Sequence, residues 1–326
     1  MLSGDFKWPK IGNELVLEFL SRSLKNHKIA QAYAFIGSDE LGKSTIALAY
    51  ARNLQGEISG FNNDLYILKP AEEKKSISIS EVREFVKTLG LSSFTNSYKI
   101  GIIKEADKLT VEAQSALLKT LEEPCEKVII ILLISEEEKL LKTILSRSQV
   151  LYFNPVPASL IYDYLIDNYS ANRSLAKDLS QLALGRPLKA IRLFEHQDDY
   201  QEYLEKAKIF LLILKSDFNS SLEILNKIFN DKGYSASTVN NAKEVLLMME
   251  GLFRDLLLLN YNQPEKIQHA ALNQELKGTL EILDKKNHGN CVQYILSQFK
   301  SIASAKEYLM ANVNPRLVLE QVIINL

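Results

Sequence analysis

The stretch Gly37-Ser38-Asp39-Glu40-Leu41-Gly42-Lys43-Ser44 decides how this chain is to be read. It satisfies every fixed position of the pattern G-x-x-x-x-G-K-[ST], a loop whose backbone N–H groups face phosphate oxygens. The apolar run Ala32–Ile36 leads into it and a helical pattern over 44–54 leads out. That context matters because a helix N-terminus adds its own partial positive charge to an anion site. Gly37 and Gly42 let the backbone wrap, Lys43 would reach the β- and γ-phosphates, and Ser44, with Thr45 beside it, would present a hydroxyl to Mg²⁺. The plainer alternative is a glycine-containing strand-to-helix turn with no nucleotide, and it leaves the fold expectation unchanged.

On either side of this loop, short β-rich runs alternate with helical patterns, as in a parallel sheet with crossover helices. Strands are expected at 32–36, 65–68, 99–103, 128–134 and 150–153. Helices are expected over 15–25, 44–54, 79–89, 111–121 and 137–145, with Pro124 closing the fourth. Val128–Ile134 is apolar at every position, which fits a strand covered on both faces. After Asn154-Pro155-Val156-Pro157 the strand patterns stop. Short helices follow over 158–195, then a polar linker at 196–201, then helices only, including the segments 239–261 and 291–310. The leucines and methionines of 244–259 surround much of their helix, so it must be buried on several faces. The expected domains are an α/β domain over 1–155, a helical lid over 156–200 and an all-helical C-terminal domain over 201–326.

Composition narrows the function. Lys+Arg (39) and Asp+Glu (40) nearly cancel, so no global basic field draws this chain to nucleic acid. The longest apolar run, 128–134, is far short of a membrane span, and 1–13 holds no secretory apolar core. A cytoplasmic protein with no membrane partner is the expectation. Its two cysteines, Cys125 and Cys291, suit a reducing compartment and cannot supply a four-cysteine zinc site. Neither has an evident base partner, so both are expected to be inert. His27, His196, His269 and His288 lack metal-ligand spacing and are expected to be structural or surface residues. Trp8, before Pro9, is expected to anchor the N-terminus on the α/β domain.

A phosphate loop that hydrolyses ATP needs a second strand ending in an acid that holds Mg²⁺, often followed by a glutamate that orients water. The candidate is Ile100-Gly101-Ile102-Ile103-Lys104-Glu105-Ala106-Asp107. Lys104 stands where the acid is expected, and an ammonium there repels Mg²⁺. It could instead bond a phosphate oxygen or Glu105. Glu105 holds the catalytic-base position and Asp107 follows two residues later. No metal site is assigned, and the chain reads as able to bind nucleotide with its own hydrolysis impaired.

From residue 99 onward the sequence resembles the clamp loader of bacterial DNA polymerase III, a branch of the AAA+ ATPases. Glu105-Ala106-Asp107-Lys108-Leu109-Thr110 and Glu112-Ala113-Gln114-Ser115-Ala116-Leu117-Leu118-Lys119-Thr120-Leu121-Glu122-Glu123-Pro124 carry the resemblance. Ile11-Gly12-Asn13, the segment 27–33, Phe253-Arg254-Asp255-Leu256-Leu257-Leu258 and Asn314-Pro315-Arg316-Leu317-Val318-Leu319-Glu320 extend it over the chain. The resemblance implies a P-loop AAA+ sheet of five parallel strands with helices on both faces, followed by a lid and an oligomerising collar. The Asn314–Glu320 ending and Lys104 point to the delta-prime branch, which assembles with gamma/tau and delta types. Sliding clamp and primer-template DNA are partners implied for the assembled complex.

Within that family, Ser146-Arg147-Ser148 resembles a Ser-Arg-Cys motif whose arginine enters a neighbouring subunit's ATP site. Arg147 is therefore implied to act in trans, with Glu105 the weaker catalytic candidate. Ser135 is implied to be the polar residue ending the 128–134 strand at the nucleotide. A second sensor belongs near 184–191, where Arg186, Lys189 and Leu188 are the alternatives for its position. Family members commonly insert a four-cysteine zinc module after the P-loop helix. Residues 53–64 contain no cysteine, so no zinc is expected. Two rivals stand beside the delta-prime reading: a gamma/tau-type subunit with its own ATP turnover, and an unrelated P-loop kinase or switch.

Overall fold

In the computed structural model, which describes residues 6–56, 64–71, 76–91, 98–123, 126–229 and 233–326, the Gly37 loop leaves the second strand from one edge of a five-stranded sheet. The expectations placed on 1–5, 57–63, Pro124 and Cys125 lie outside the described residues. The chain divides into two units, Met1–Tyr164 with Gly185–Lys189, and Leu165–Leu184 with Ala190–Leu326.

The first unit runs α1 (Glu14–Lys25), β1 (Ala32–Ile36), α2 (Lys43–Gln55), β2 (Leu65–Leu68), α3 (Ile79–Leu89), β3 (Lys99–Ile103), α4 (Val111–Glu122), β4 (Val128–Ile134), α5 (Lys142–Leu145) and β5 (Gln149–Tyr152). The strand order is β2-β3-β4-β1-β5, with every pairing parallel. This is the sheet of five parallel strands with helices on both faces that the resemblance implied. Alternation along β4 shows why the run is apolar throughout. Ile129, Ile131 and Leu133 pack with Val16 and Leu20 of α1 and with Ile46 and Tyr50 of α2. Ile130, Leu132 and Ile134 pack on the opposite face with Val82 and Phe85 of α3 and with Ala113 and Leu117 of α4. Parallel pairing also brings the loops after β1, β3, β4 and β5 to one edge, where α/β sheets bind ligands. Trp8 stacks on Tyr50 with ring centroids 6.4 Å apart, so the N-terminal segment is anchored as expected.

Two expected elements differ. The helix expected over 137–145 is a 3-10 turn, Glu137–Lys139, followed by extended Leu140 and Leu141 and then α5. Buried Gln114 of α4 is the cause. Its side-chain amide donates to Lys139 O at 3.0 Å and accepts from Leu141 N at 2.8 Å, taking groups that a continuous helix would pair internally. The second difference is at 196–201, which is not a linker.

Beyond β5 the chain continues as α6 (Ala158–Tyr169), α7 (Arg173–Leu182), α8 (Pro187–Glu195), α9 (Gln197–Ile213), α10 (Phe218–Ile228), α11 (Ala236–Asn260), α12 (Asn273–Lys286), α13 (Cys291–Met310) and α14 (Pro315–Ile324). Asp198 and Asp199, which made 196–201 look like a linker, sit in the first turn of α9, where they complement the helix dipole. As its composition demands, α11 buries Val245, Leu246, Met248, Met249, Leu252, Phe253 and Leu256. Asp255 on the same helix is fully buried and accepts from Gln268 N, His269 N and the His269 ring. His269 in turn meets the Tyr203 hydroxyl at 2.7 Å, so it is a buried structural residue. Buried Cys291 has its thiol pKa pushed up, chiefly by burial, which suits an inert packing role. The ending read from sequence also has a local reason. Asn314 Oδ1 accepts from Arg316 N, Pro315 opens α14, and Arg316 reaches Glu320 at 2.8 Å and Asn226 at 2.6 Å. Among the described residues no helix is long and apolar enough to cross a membrane.

Candidate functional site

The loop after β1 has the shape its glycines require. Gly37 has φ +155°, and a Cβ there would lie 2.5 Å from the Phe153 carbonyl oxygen. Gly42 takes the left-handed conformation, φ 92°, at the cap of α2. Lys43 opens α2 and is only 8% exposed. Its ammonium donates to Gly37 O, to Ser38 O at 3.2 Å, to Ile134 O at 2.9 Å and to Ser135 Oγ at 3.0 Å. Burial lowers the Lys43 pKa, while Asp39 and Asp107 act in the opposite direction. Ser44 is half-buried and Thr45 exposed on the same first turn.

Asp107 belongs to this site although the sequence pattern placed it only as following Glu105. Glu105 has a left-handed backbone, φ 53°, and the 3-10 turn Ala106–Lys108 follows it. Asp107 Oδ1 accepts from Ser135 N at 3.0 Å, across the gap between the ends of β3 and β4. Asp39, an unspecified position in the loop pattern, accepts from Ser135 Oγ at 2.6 Å and lies 3.9 Å from the Lys43 ammonium. Ser135 is thus the joint of the cluster: its hydroxyl accepts from Lys43 and donates to Asp39. The separation of Asp107 from Lys43 in sequence hid the first of these acids; only the parallel sheet brings them together. Glu105 is directed elsewhere, to an ion pair with Lys108, and the acids that act on Lys43 are Asp39 and Asp107. Lys104 continues the ladder, its N–H donating to Leu68 O at 2.8 Å, at the strand end where a Mg²⁺-holding acid would stand.

Residues 185–189 share a unit with this loop. Leu188 N donates to Glu40 O of the loop at 3.2 Å, and Val156 N donates to Gly185 O at 2.8 Å. Arg186 is half-buried, and its carbonyl accepts from Lys189 N. The first turn of α8 therefore touches the phosphate loop through the backbone of Leu188, one of the three positions left open from the sequence.

Arg147 lies at the other end of the sheet. Gln149 pairs with Tyr33 and Tyr152 with Ile36, so β5 runs beside β1, with Arg147 before its amino end. From the Tyr33 level to Gly37 is about 13 Å of strand at ~3.3 Å per residue. The Arg147 side chain is held by Glu122 Oε1 at 2.8 Å and by Thr143 O at 3.2 Å. Beside it is a cavity of about 280 Å³, lined in part by Gln31, Ala32, Thr120, Leu121, Ser146 and Ser148. The site residues read from sequence thus fall into two groups: Gly37, Gly42, Lys43, Ser44, Thr45, Ser135 and the 185–189 turn at one edge, and Arg147 at the other.

The chain is similar to subunits of DNA polymerase III. A family model described as DNA polymerase III, delta subunit, matches residues 12–157. The delta' subunit of DNA polymerase III from Bacillus subtilis is 24% identical, covering 96% of this chain and 97% of its own length. A DNA polymerase III gamma subunit from Buchnera aphidicola is 26% identical, covering 90% of each chain. Among solved structures, a DNA polymerase III gamma subunit-related protein from Thermotoga maritima aligns with a TM-score of 0.48 and 20% identity, covering 94% of this chain and 97% of the other.

Proposed function

We propose that this chain is a clamp-loader subunit of bacterial DNA polymerase III, that it acts as a delta-prime-type subunit, and that it lends Arg147 to a neighbour's ATP site; its similarity to delta-type subunits supports this reading. The separation of Arg147 from Lys43 carries this reading. An arginine at the amino ends of the strands cannot attend a phosphate loop at their carboxyl ends, so its phosphate must come from another subunit. There its planar, permanently charged fork suits charge on a transferring γ-phosphoryl group, a contribution of roughly 10³–10⁵ in rate for arginine fingers.

The chain's own loop supports ATP binding without efficient turnover. Its positive-φ glycines and Lys43 fit a phosphate, whereas Lys104 does not fit the Mg²⁺ that hydrolysis uses. Bound Mg²⁺ would neutralise charge on the β- and γ-oxygens; Lys43 would bond them directly on leaving its carbonyl partners, and Ser135 would remain beside them. In this scheme the helical C-terminal region, 201–326, forms the collar that joins the other clamp-loader subunits, and 156–200 the lid. The assembled ring closes around ATP, sliding clamp and primer-template DNA, and hydrolysis at neighbouring sites releases the loaded clamp.

The test is ATP hydrolysis by a reconstituted clamp-loader complex carrying Arg147→Ala. The variant should fold and assemble, and hydrolysis at the adjacent subunit should fall; unchanged hydrolysis would remove the finger role. The gamma-type alternative has its own support, since Gly37, Gly42, Lys43 and Ser44 are all present. It requires brisk, Mg²⁺-dependent ATP turnover by the isolated chain.

A further inference from the structure

Glu122 is the last residue of α4, where a carboxylate faces the negative end of the helix dipole and is disfavoured. Arg147 sits opposite it at 2.8 Å. The pair is substantially exposed, with Arg147 37% and Glu122 51% accessible. A pair so exposed contributes little to stability. Its geometry is more informative than its energy. One terminal nitrogen of Arg147 binds Glu122 while the other donates to Thr143 O at 3.2 Å. Both anchors are on the protein, and a guanidinium has five N–H donors, so further donors stay available to a second anion. Thr143 belongs to the short helix α5, and Arg147 N donates to Ile144 O at 3.2 Å, so the backbone that carries Arg147 is held as well.

Resting on the proposed role of Arg147 in trans, we infer that Glu122 is its positioning residue: it holds the guanidinium oriented so that the unused donors meet a phosphate presented by the adjacent subunit. A free arginine loses much rotamer freedom when it is immobilised, and a pre-set one loses less per bond formed. Glu122 therefore acts on the step in which the guanidinium engages developing charge, and not on how tightly ATP is first held. The carboxylate and the Thr143 carbonyl each take one terminal N–H, and the phosphate takes N–H groups that neither uses, so the two anions share the cation without competing for the same donors.

Steady-state ATP hydrolysis by the reconstituted complex tests this. Glu122→Ala should lower kcat about 3- to 10-fold with KM for ATP unchanged, and with thermal stability and assembly unchanged. Glu122→Gln keeps an acceptor for the guanidinium and should recover part of the loss. In an Arg147→Ala background, Glu122→Ala should have no further effect. An unchanged or increased kcat for Glu122→Ala overturns the inference, as does an equal loss in both backgrounds. If Arg147→Ala is itself without effect, the finger role fails first; if Arg147→Ala is impaired and Glu122→Ala is not, only the positioning role fails.

Discussion

Lys43 and Arg147 are cations at opposite ends of one parallel sheet, and the protein treats them in opposite ways. Lys43 is 8% exposed and surrounded by oxygens of its own chain, three of them main-chain carbonyls. Arg147 is 37% exposed and held, among the described residues, by Glu122 and Thr143. A buried ammonium must have its hydration replaced, and carbonyl dipoles supply that replacement at a cost to its pKa. A guanidinium at the surface keeps its charge whatever its surroundings. On the proposed reading, the difference marks which cation is prepared for a phosphate delivered from outside. Lys43 must exchange internal partners to bind one; Arg147 has donors to spare.

The largest expected effect comes from Arg147. In the reconstituted complex, Arg147→Ala should reduce hydrolysis at the adjacent site by ~10³ or more while ATP binding to this chain stays unchanged. Lys43→Met should do the reverse. It should weaken ATP binding to the isolated chain by roughly 10- to 100-fold, the worth of a charge-assisted hydrogen bond, and leave the neighbour's hydrolysis alone. Equilibrium titration with a fluorescent ATP analogue measures this, and equal effects of the two variants on both readouts would end the contrast. A smaller change is expected from Lys104→Asp, which places an acid at the end of β3. Steady-state ATPase of the isolated chain should rise about tenfold, and only when Mg²⁺ is present. Brisk turnover before that substitution would favour the gamma-type subunit.

The smallest expected effect is on pH dependence. Burial lowers the Lys43 pKa below its ordinary value of 10.5. In the window between the lowered pKa and 10.5 the native chain has lost a proton that the unfolded chain still binds, so Lys43 makes stability rise with pH there. ATP affinity should move the other way, falling a few-fold as Lys43 becomes neutral, because a phosphate favours the ammonium. Titrations from neutral pH upward, compared with Lys43→Met, isolate the term. An affinity that falls equally in the variant would assign the dependence to another group.

Much of this layout was legible in the residues. The unbroken apolar run of β4 announced a strand buried on both faces, and α13 begins and ends where its periodicity says. The spacing of the loop also carried the positive-φ conformations of Gly37 and Gly42 and the place of Lys43 at the start of α2. Asp107 did not, because its place beside Ser135 depends on β3 and β4 being neighbours in the sheet. The break before α5 was likewise invisible. It depends on an amide 25 residues away, that of Gln114, which substitutes for helical hydrogen bonds. The error at 196–201 was of another kind: its acids were a helix-start signal mistaken for a solvated linker.

Periodicity and motif spacing therefore sufficed for the elements, the sheet class and the phosphate loop, since each rests on residues close in sequence acting through local geometry. Where the two cations lie relative to each other was a different matter. It depends on strand order and direction, which place Lys43 and Arg147 at opposite ends of β1 and β5. No local pattern encodes that separation; it arises only when the strands pair in parallel and give the sheet two chemically distinct edges.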